Sequence, residues 1–199
     1  MSWWFWILCN SFPAGVQIES AENLPEKGRH IETSCPGSLL SIDVFYVGSL
    51  KNTARIYRLT ACDCFCSFGC AKIYLHRTAD SAVDLLETDL LPKAGNIVIQ
   101  RLLQGNGKEF TTRFSGANHK FKQACDRNNI RHSFTRTKHL WTNGYTERPN
   151  QTILDQFYRL ALRKKIYTSV EELQKDLDEF IYCHNFRRSH QGQKLKRNG

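Results

Sequence analysis

The chain has 199 residues, 41% of them hydrophobic and 12% aromatic, which excludes a low-complexity or disordered polymer and leaves room for one α/β domain with a real core plus tails. Twenty-eight Lys and Arg oppose 19 Asp and Glu, a formal charge of +9 and a pI near 9.2. That excess favours a polyanionic partner, nucleic acid first and a membrane surface second.

The opening stretch MSWWFWILCNSF is apolar, but it lacks a basic leading region and falls short of the ~20 residues that cross a bilayer, so no membrane partner is expected. Residues 1–34 show no periodicity and read as a poorly ordered extension. After Pro36-Gly37, the run Leu39 to Val47 reads as a strand buried on both faces, with Asp43 in its middle. A carboxylate there is costly unless it partners a Lys or Arg, or a bound cation.

Arg55 to Cys66 and Cys70 to His76 read as two more strands joined around Ser67-Phe68-Gly69, completing a meander. Alternation would set Cys62, Cys64 and Cys66 on one face, too close for easy bridging. The spacing C-x-C-x-C-x3-C matches zinc sites poorly. Buried free thiols in a cytoplasmic protein are the reading.

Thr78 caps a predicted helix with Ala82, Val83, Leu86 and Leu90 on one stripe, stopped by Pro92 and Gly95. Asn96 to Leu103 is the fourth strand, and it runs straight into Gly105-Asn106-Gly107. The carboxyl end of such a strand is where α/β sheets keep their chemistry. Here it offers no acid, base or nucleophile.

A short helix follows with Phe121, Ala124 and Cys125, then a fifth strand over Arg131 to Thr135. Beyond Trp141-Thr142-Asn143-Gly144, a long helix is expected to bury Ile153, Phe157, Leu160 and Ala161. Ser169 and Glu172 form a capping box for a last helix striped by Val170, Leu173, Leu177, Phe180 and Ile181. The order is β-β-β-α-β-α-β-α-α.

Three segments in this order carry a resemblance: SIDVFYVG around Asp43, LLQGNGKEF at the fourth strand, and TRTKHLWTNGYTERPNQTIL around Glu147, with HNFRRSHQG closing the chain. Over residues 35–195 the sequence resembles the catalytic cores of DDE transposases and retroviral-type integrases, most of all those of bacterial insertion-sequence transposases. The resemblance implies a ribonuclease H-like α/β fold, a five-stranded mixed sheet flanked by helices. It also implies magnesium- or manganese-dependent phosphodiester strand transfer on DNA.

In that family three acids hold two metal ions. One ion makes the attacking oxygen nucleophilic and the other steadies the leaving oxygen. By position, Asp43 matches the first acid and Glu147 the third, as catalytic residues and metal ligands alike. The second acid belongs in a T-D-N-G-x-E-F segment that reads here Gln104-Gly105-Asn106-Gly107-Lys108-Glu109-Phe110, so its place is held by Gly105. Asn106 and Glu109 fit the ordinary pattern and signal no rescue.

Pro149 falls where the helix should bond back to Tyr145, at a cost of about 3 kcal/mol inside a helix. Forty-one residues separate Gly105 from Glu147, somewhat more than the commonest spacing. The resemblance therefore implies a degenerate or truncated copy with impaired metal binding and defective catalysis. The implied partners are DNA, as mobile-element ends and target, and further copies or intact transposase subunits. The alternative is a non-enzymatic DNA-binding or subunit-interacting fragment that modulates an intact enzyme. Lys138, His139, Arg148, Arg163, Lys164, Lys165, Arg187 and Arg188 are the candidate phosphate contacts.

Overall fold

The computed structural model describes residues 33–50, 55–105, 107–111, 119–134 and 150–187. Strands β1 (Leu40–Ser49), β2 (Arg55–Asp63) and β3 (Gly69–Tyr74) form an antiparallel meander. Helix α1 runs through Ala79–Asp84, a π-helical stretch Leu85–Leu90 and Leu91–Ala94. Then come β4 (Arg101–Gln104), α2 (Lys120–Arg127) and β5 (Arg131–Phe134). Helix α3 runs from Asn150 through π-helical Leu154–Tyr158 to Arg159–Lys164, and α4 spans Val170–Phe186. The sheet order is β3-β2-β1-β4-β5, with β4 parallel to both β1 and β5. This is the five-stranded mixed α/β sheet with flanking helices that the sequence implies. Among the described residues no helix is long and apolar enough to cross a membrane.

Period-two alternation splits the core in two. Leu40, Ile42, Leu59 and Ala61 pack with Leu85 and Leu86 of α1 and with Phe121 and Ala124 of α2. Ile56, Ala71 and Ile73 pack with Ile153 and Phe157 of α3 and with Leu173 and Leu177 of α4. Asp43, Phe45, Arg58 and Thr60 share this second face, because Asp43 pairs with Thr60 and Phe45 with Arg58.

Several expectations are corrected. Strand β1 is not buried throughout: its second half opens to solvent around a bulge between Tyr46 and Gly48, and Tyr46 is exposed. Strand β2 stops at Asp63, and Cys64 to Cys66 form a turn, so the three cysteines do not alternate along one strand. The cause is the buried Asp63 carboxylate, which accepts the N–H groups of Phe65 (2.7 Å), Cys66 (2.9 Å) and Gly37 (2.7 Å). Every described cysteine is free, and burial pushes the thiols of Cys64 and Cys70 up to about 12.

Strand β4 begins at Arg101 instead of Asn96, because the segment before it crosses Gly37 and the Gln100 N–H donates to the Gly37 carbonyl. Gly37 has φ +85°, and a Cβ there would collide with the Val98 carbonyl. Pro92 does not stop α1; it opens the last helical segment after the wider π-helical stretch, and the helix ends at Gly95. Leu160 is half exposed, because the π-helical turn at Leu154–Tyr158 shifts the register and buries Tyr158 in its stead. The Ser169 hydroxyl accepts the Glu172 N–H as the capping box requires, but the Glu172 carboxylate reaches the Thr168 N–H.

The outer edge of β3 is covered by side chains of α4. Gln174 accepts the Ile73 N–H and donates to the Ala71 carbonyl, while Asn185 does both at Gly69.

At the opposite side of the sheet, Gln104 on β4 is fully buried and its amide donates to Nε2 of His132 on β5. Burial first, then the charge of His119, holds the His132 imidazole down at about 4, with Asp126 opposing and Lys122 adding. A histidine depressed from ~6.5 stabilises the fold above pH ~6.5 and loses that contribution as pH falls toward 4. Chemical denaturation is expected to show a loss of about 1 kcal/mol between pH 7 and pH 5 from this half-open group, after screening by solvent. His132→Gln should flatten that slope; an unchanged slope would remove the assignment.

Candidate active site

Asp43 lies at the middle of β1, where the strand passes from full burial to the half-open section. Its Oδ2 accepts a hydrogen bond from Nδ2 of Asn150 at 2.6 Å, a residue 107 positions away at the start of the described part of α3. The last paired residues of β1 and β4 are Ile42 and Gln104, so the next positions on the two strands are Asp43 and Gly105. The first strand, the tip of the fourth and the first described turn of α3 therefore meet.

A cation lies behind the carboxylate. Arg58 is 0% exposed, an extreme for a guanidinium. Its Nη2 donates to Oδ1 of Asn150 at 2.6 Å and its Nε to the Thr60 hydroxyl at 2.9 Å. The group lies 5.0 Å from the Phe45 ring centroid and 5.4 Å from that of Tyr158. Burial pulls the Arg58 pKa down, while Tyr158 and Asp43 oppose the shift. For Asp43, burial pushes the carboxyl up; the Val44 N–H, Arg58 and Asn150 pull it down, and the Glu109 charge adds to the rise.

Neither crowding nor turn geometry demands glycine at 105. A Cβ built there meets nothing within 4 Å, and the residue is outside the left-handed region. Gly107 is different, since a Cβ would strike the Glu109 carboxylate. Glu109 is buried beneath it, forms an ion pair with Arg77 Nε at 3.4 Å, and its charge also bears on Asp43.

The chain resembles several solved structures. It overlays a chain of the simian T-cell lymphotropic virus intasome with TM-score 0.62 and 16% identity over 87% of its own length, spanning 58% of that chain. It overlays the HTLV-2 integrase catalytic core domain in complex with magnesium with TM-score 0.59 and 15% identity, covering 79% of this chain and 92% of that one. The BIV integrase catalytic core gives TM-score 0.55 and 17% identity over 78% and 88%. Residues 128–195, about a third of the chain, match the integrase core domain model. The fold is that of an integrase catalytic core. No curated protein matches the chain.

Within this fold, the geometry brings Asp43 and Gly105 together. Glu147, Lys138, His139, Arg148, Pro149 and Arg188 lie outside the described residues. Arg163 and Lys164 are exposed at the far end of α3, roughly 20 Å along the helix from Asn150. Lys165 is matched locally, with Glu172 and Asp176 each at 3.0 Å. Arg187 is exposed just past α4. Arg58 and Asn150 are the residues that sequence reasoning passed over. Arg58 carried a usable signal, a lone cation inside the apolar run Ile56 to Ala61.

The described side chains do not fit a divalent ion. Asp43 is hydrogen-bonded to a neutral amide, Gly105 has no side chain, and among the described residues no group of three or more His, Cys, Asp or Glu could hold a metal. Magnesium needs several hard oxygens converging on one point.

Proposed function

We propose that this chain is an integrase- or transposase-type core protein that handles DNA in integration and transposition, and that its strand-transfer chemistry is defective. The observation that carries the reading is the Asn150–Asp43 hydrogen bond. It draws the start of α3 onto the central strand beside the tip of β4, where an integrase-type fold assembles its acids. The HTLV-2 core is in complex with magnesium; by that likeness this site descends from a magnesium site. Two-ion chemistry stabilises both the attacking and the leaving oxygen of the phosphodiester. With Gly105 in the second acidic position the site lacks one of three charges, so ion binding is impaired. Asp43 and Glu147 remain from the set.

The scaffold keeps its DNA-facing charge without that acid. Arg163, Lys164, Arg187 and Arg188 are its candidate phosphate contacts, with Lys138, His139 and Arg148 near the third motif and Lys165 held by its acidic neighbours. Fluorescence anisotropy with a short random-sequence duplex should show affinity falling steeply between about 50 and about 200 mM salt, with a log–log slope of about 0.9 per phosphate contact. Arg163→Ala with Lys164→Ala is expected to flatten the slope by about 2. No binding at low salt would sink the DNA reading. With magnesium or manganese, joining of oligonucleotide ends is expected to be absent. Joining that disappears in Asp43→Asn would show that the chemistry survives.

Self-association belongs to the same reading. The HTLV-2 core is described in dimeric and trimeric forms, and Leu160, Leu162 and Ile166 are exposed along and just past the end of α3. Light scattering on the same preparation should give at least twice the chain mass, and a monomer throughout would remove this part. The free thiols agree with a cytoplasmic location.

A further inference from the structure

We propose that Arg58 is a built-in counter-cation for Asp43, relayed by Asn150, which converts this one of the two remaining acids from a metal ligand into the partner of a buried guanidinium. The inference rests on the reading of this site as a former divalent-cation site, and it adds a second lesion independent of Gly105.

The argument starts from burial. A wholly enclosed arginine is strongly disfavoured unless charge and hydrogen bonds surround it. Arg58 has two neutral partners, the Thr60 hydroxyl and the Asn150 carbonyl oxygen, and two aromatic faces, Phe45 and Tyr158. Its Nη1 has no hydrogen-bond partner among the described residues, so two hydrogen bonds leave the charge under-compensated; the carboxylate that offsets it is Asp43, one amide away. Asn150 spends its oxygen on Arg58 and its nitrogen on Asp43, so its two ends are fixed by the charges on either side. The four strand positions involved, Asp43, Phe45, Arg58 and Thr60, are held on one face by the β1–β2 register. One of the two Asp43 carboxylate oxygens already accepts at 2.6 Å from this relay, which leaves an octahedral ion one hard oxygen fewer.

Two consequences separate this arrangement from an ordinary acid cluster. In a cluster that awaits a metal, neutralising one acid relieves repulsion, and the metal-free protein becomes more stable or stays unchanged. Here Asp43→Asn leaves a buried guanidinium without its anion. In the presence of EDTA, thermal unfolding of the full chain is expected to drop by roughly 5–10 °C. Replacing both partners, Asp43→Leu with Arg58→Met, should recover most of that loss.

The second consequence concerns ion binding itself. Manganese titrations followed by the electron paramagnetic resonance of free Mn2+ should show little gain for Gly105→Asp alone. Gly105→Asp with Arg58→Met should bind at least tenfold more tightly. Asp43→Asn as stable as the parent, or Gly105→Asp binding manganese as tightly as the double variant, overturns the proposal. If Arg58→Met fails to fold, the Asp43→Asn shift decides alone. DNA binding by the parent chain is read separately, so failure here leaves the proposed function standing, and the reverse.

Discussion

Asp63→Ala is expected to cost the fold on the order of 4 kcal/mol, lowering the midpoint of thermal unfolding by roughly 10 °C. The carboxylate is 1% exposed and accepts three backbone N–H groups, each of which would be left buried and unpaired. Each such donor costs about 1–3 kcal/mol. Asp63→Asn should also destabilise, though less, because its amide oxygen can still serve Phe65 and Cys66 while its amino group confronts the Gly37 N–H. The effect reaches the site through the backbone. Asp63 holds Gly37, Gly37 holds Gln100, and the strand that follows delivers Gly105 beside Asp43. Differential scanning calorimetry checks the magnitude, and an Asp63→Ala protein melting with the parent would refute the assignment.

Phe121→Ala should cost a further 3–5 kcal/mol in a separate variant. The ring is 0% exposed and stands edge-on to Phe110 at 5.3 Å and to His132 at 5.6 Å. Phe110 closes the turn after β4, where the N–H groups of Phe110 and Thr111 both donate to the Gly107 carbonyl at 3.0 Å. Loss of the ring removes the wedge under that turn. Hydrogen exchange at Phe110 and Thr111 should accelerate more than exchange in β2; uniform acceleration would instead mean that the ring supports the whole core equally.

Much of the fold was legible because its elements obey simple periods. Leu173 and Leu177 behind the Ser169 cap, and Phe121 with Ala124 and Cys125, mark helix faces that the structure buries. The misreadings occurred where a tertiary bond overrode the local pattern. Nothing in the run Cys62 to Cys66 says that Asp63 will gather the N–H of a residue 26 positions earlier. Leu160 turns outward because a π-helical turn has no signature in apolar spacing.

At the candidate site the same division holds. Asp43 was conspicuous as an acid inside an apolar strand, and Gly105 as a residue without chemistry at a strand tip. Asp43's need for either a side-chain cation or a metal was also readable. The actual partner was not, since it required knowing that Arg58 faces the same side as Asp43 and that Asn150 bridges them. Register and a contact over 92 positions lie beyond local pattern.

The amides of Gln174 and Asn185 stand about three helical turns apart on α4, so one face of that helix meets β3 at Ile73, Ala71 and Gly69. Sheet margins ordinarily invite an extended peptide to zip on, from a neighbour or from a misfolding chain. At this margin the N–H groups of Ile73 and Gly69 and the carbonyls of Ala71 and Gly69 are already held by two side chains imitating a sixth strand. Growth of the sheet in that direction would first have to peel α4 away, and with it Leu173 and Leu177 from the core.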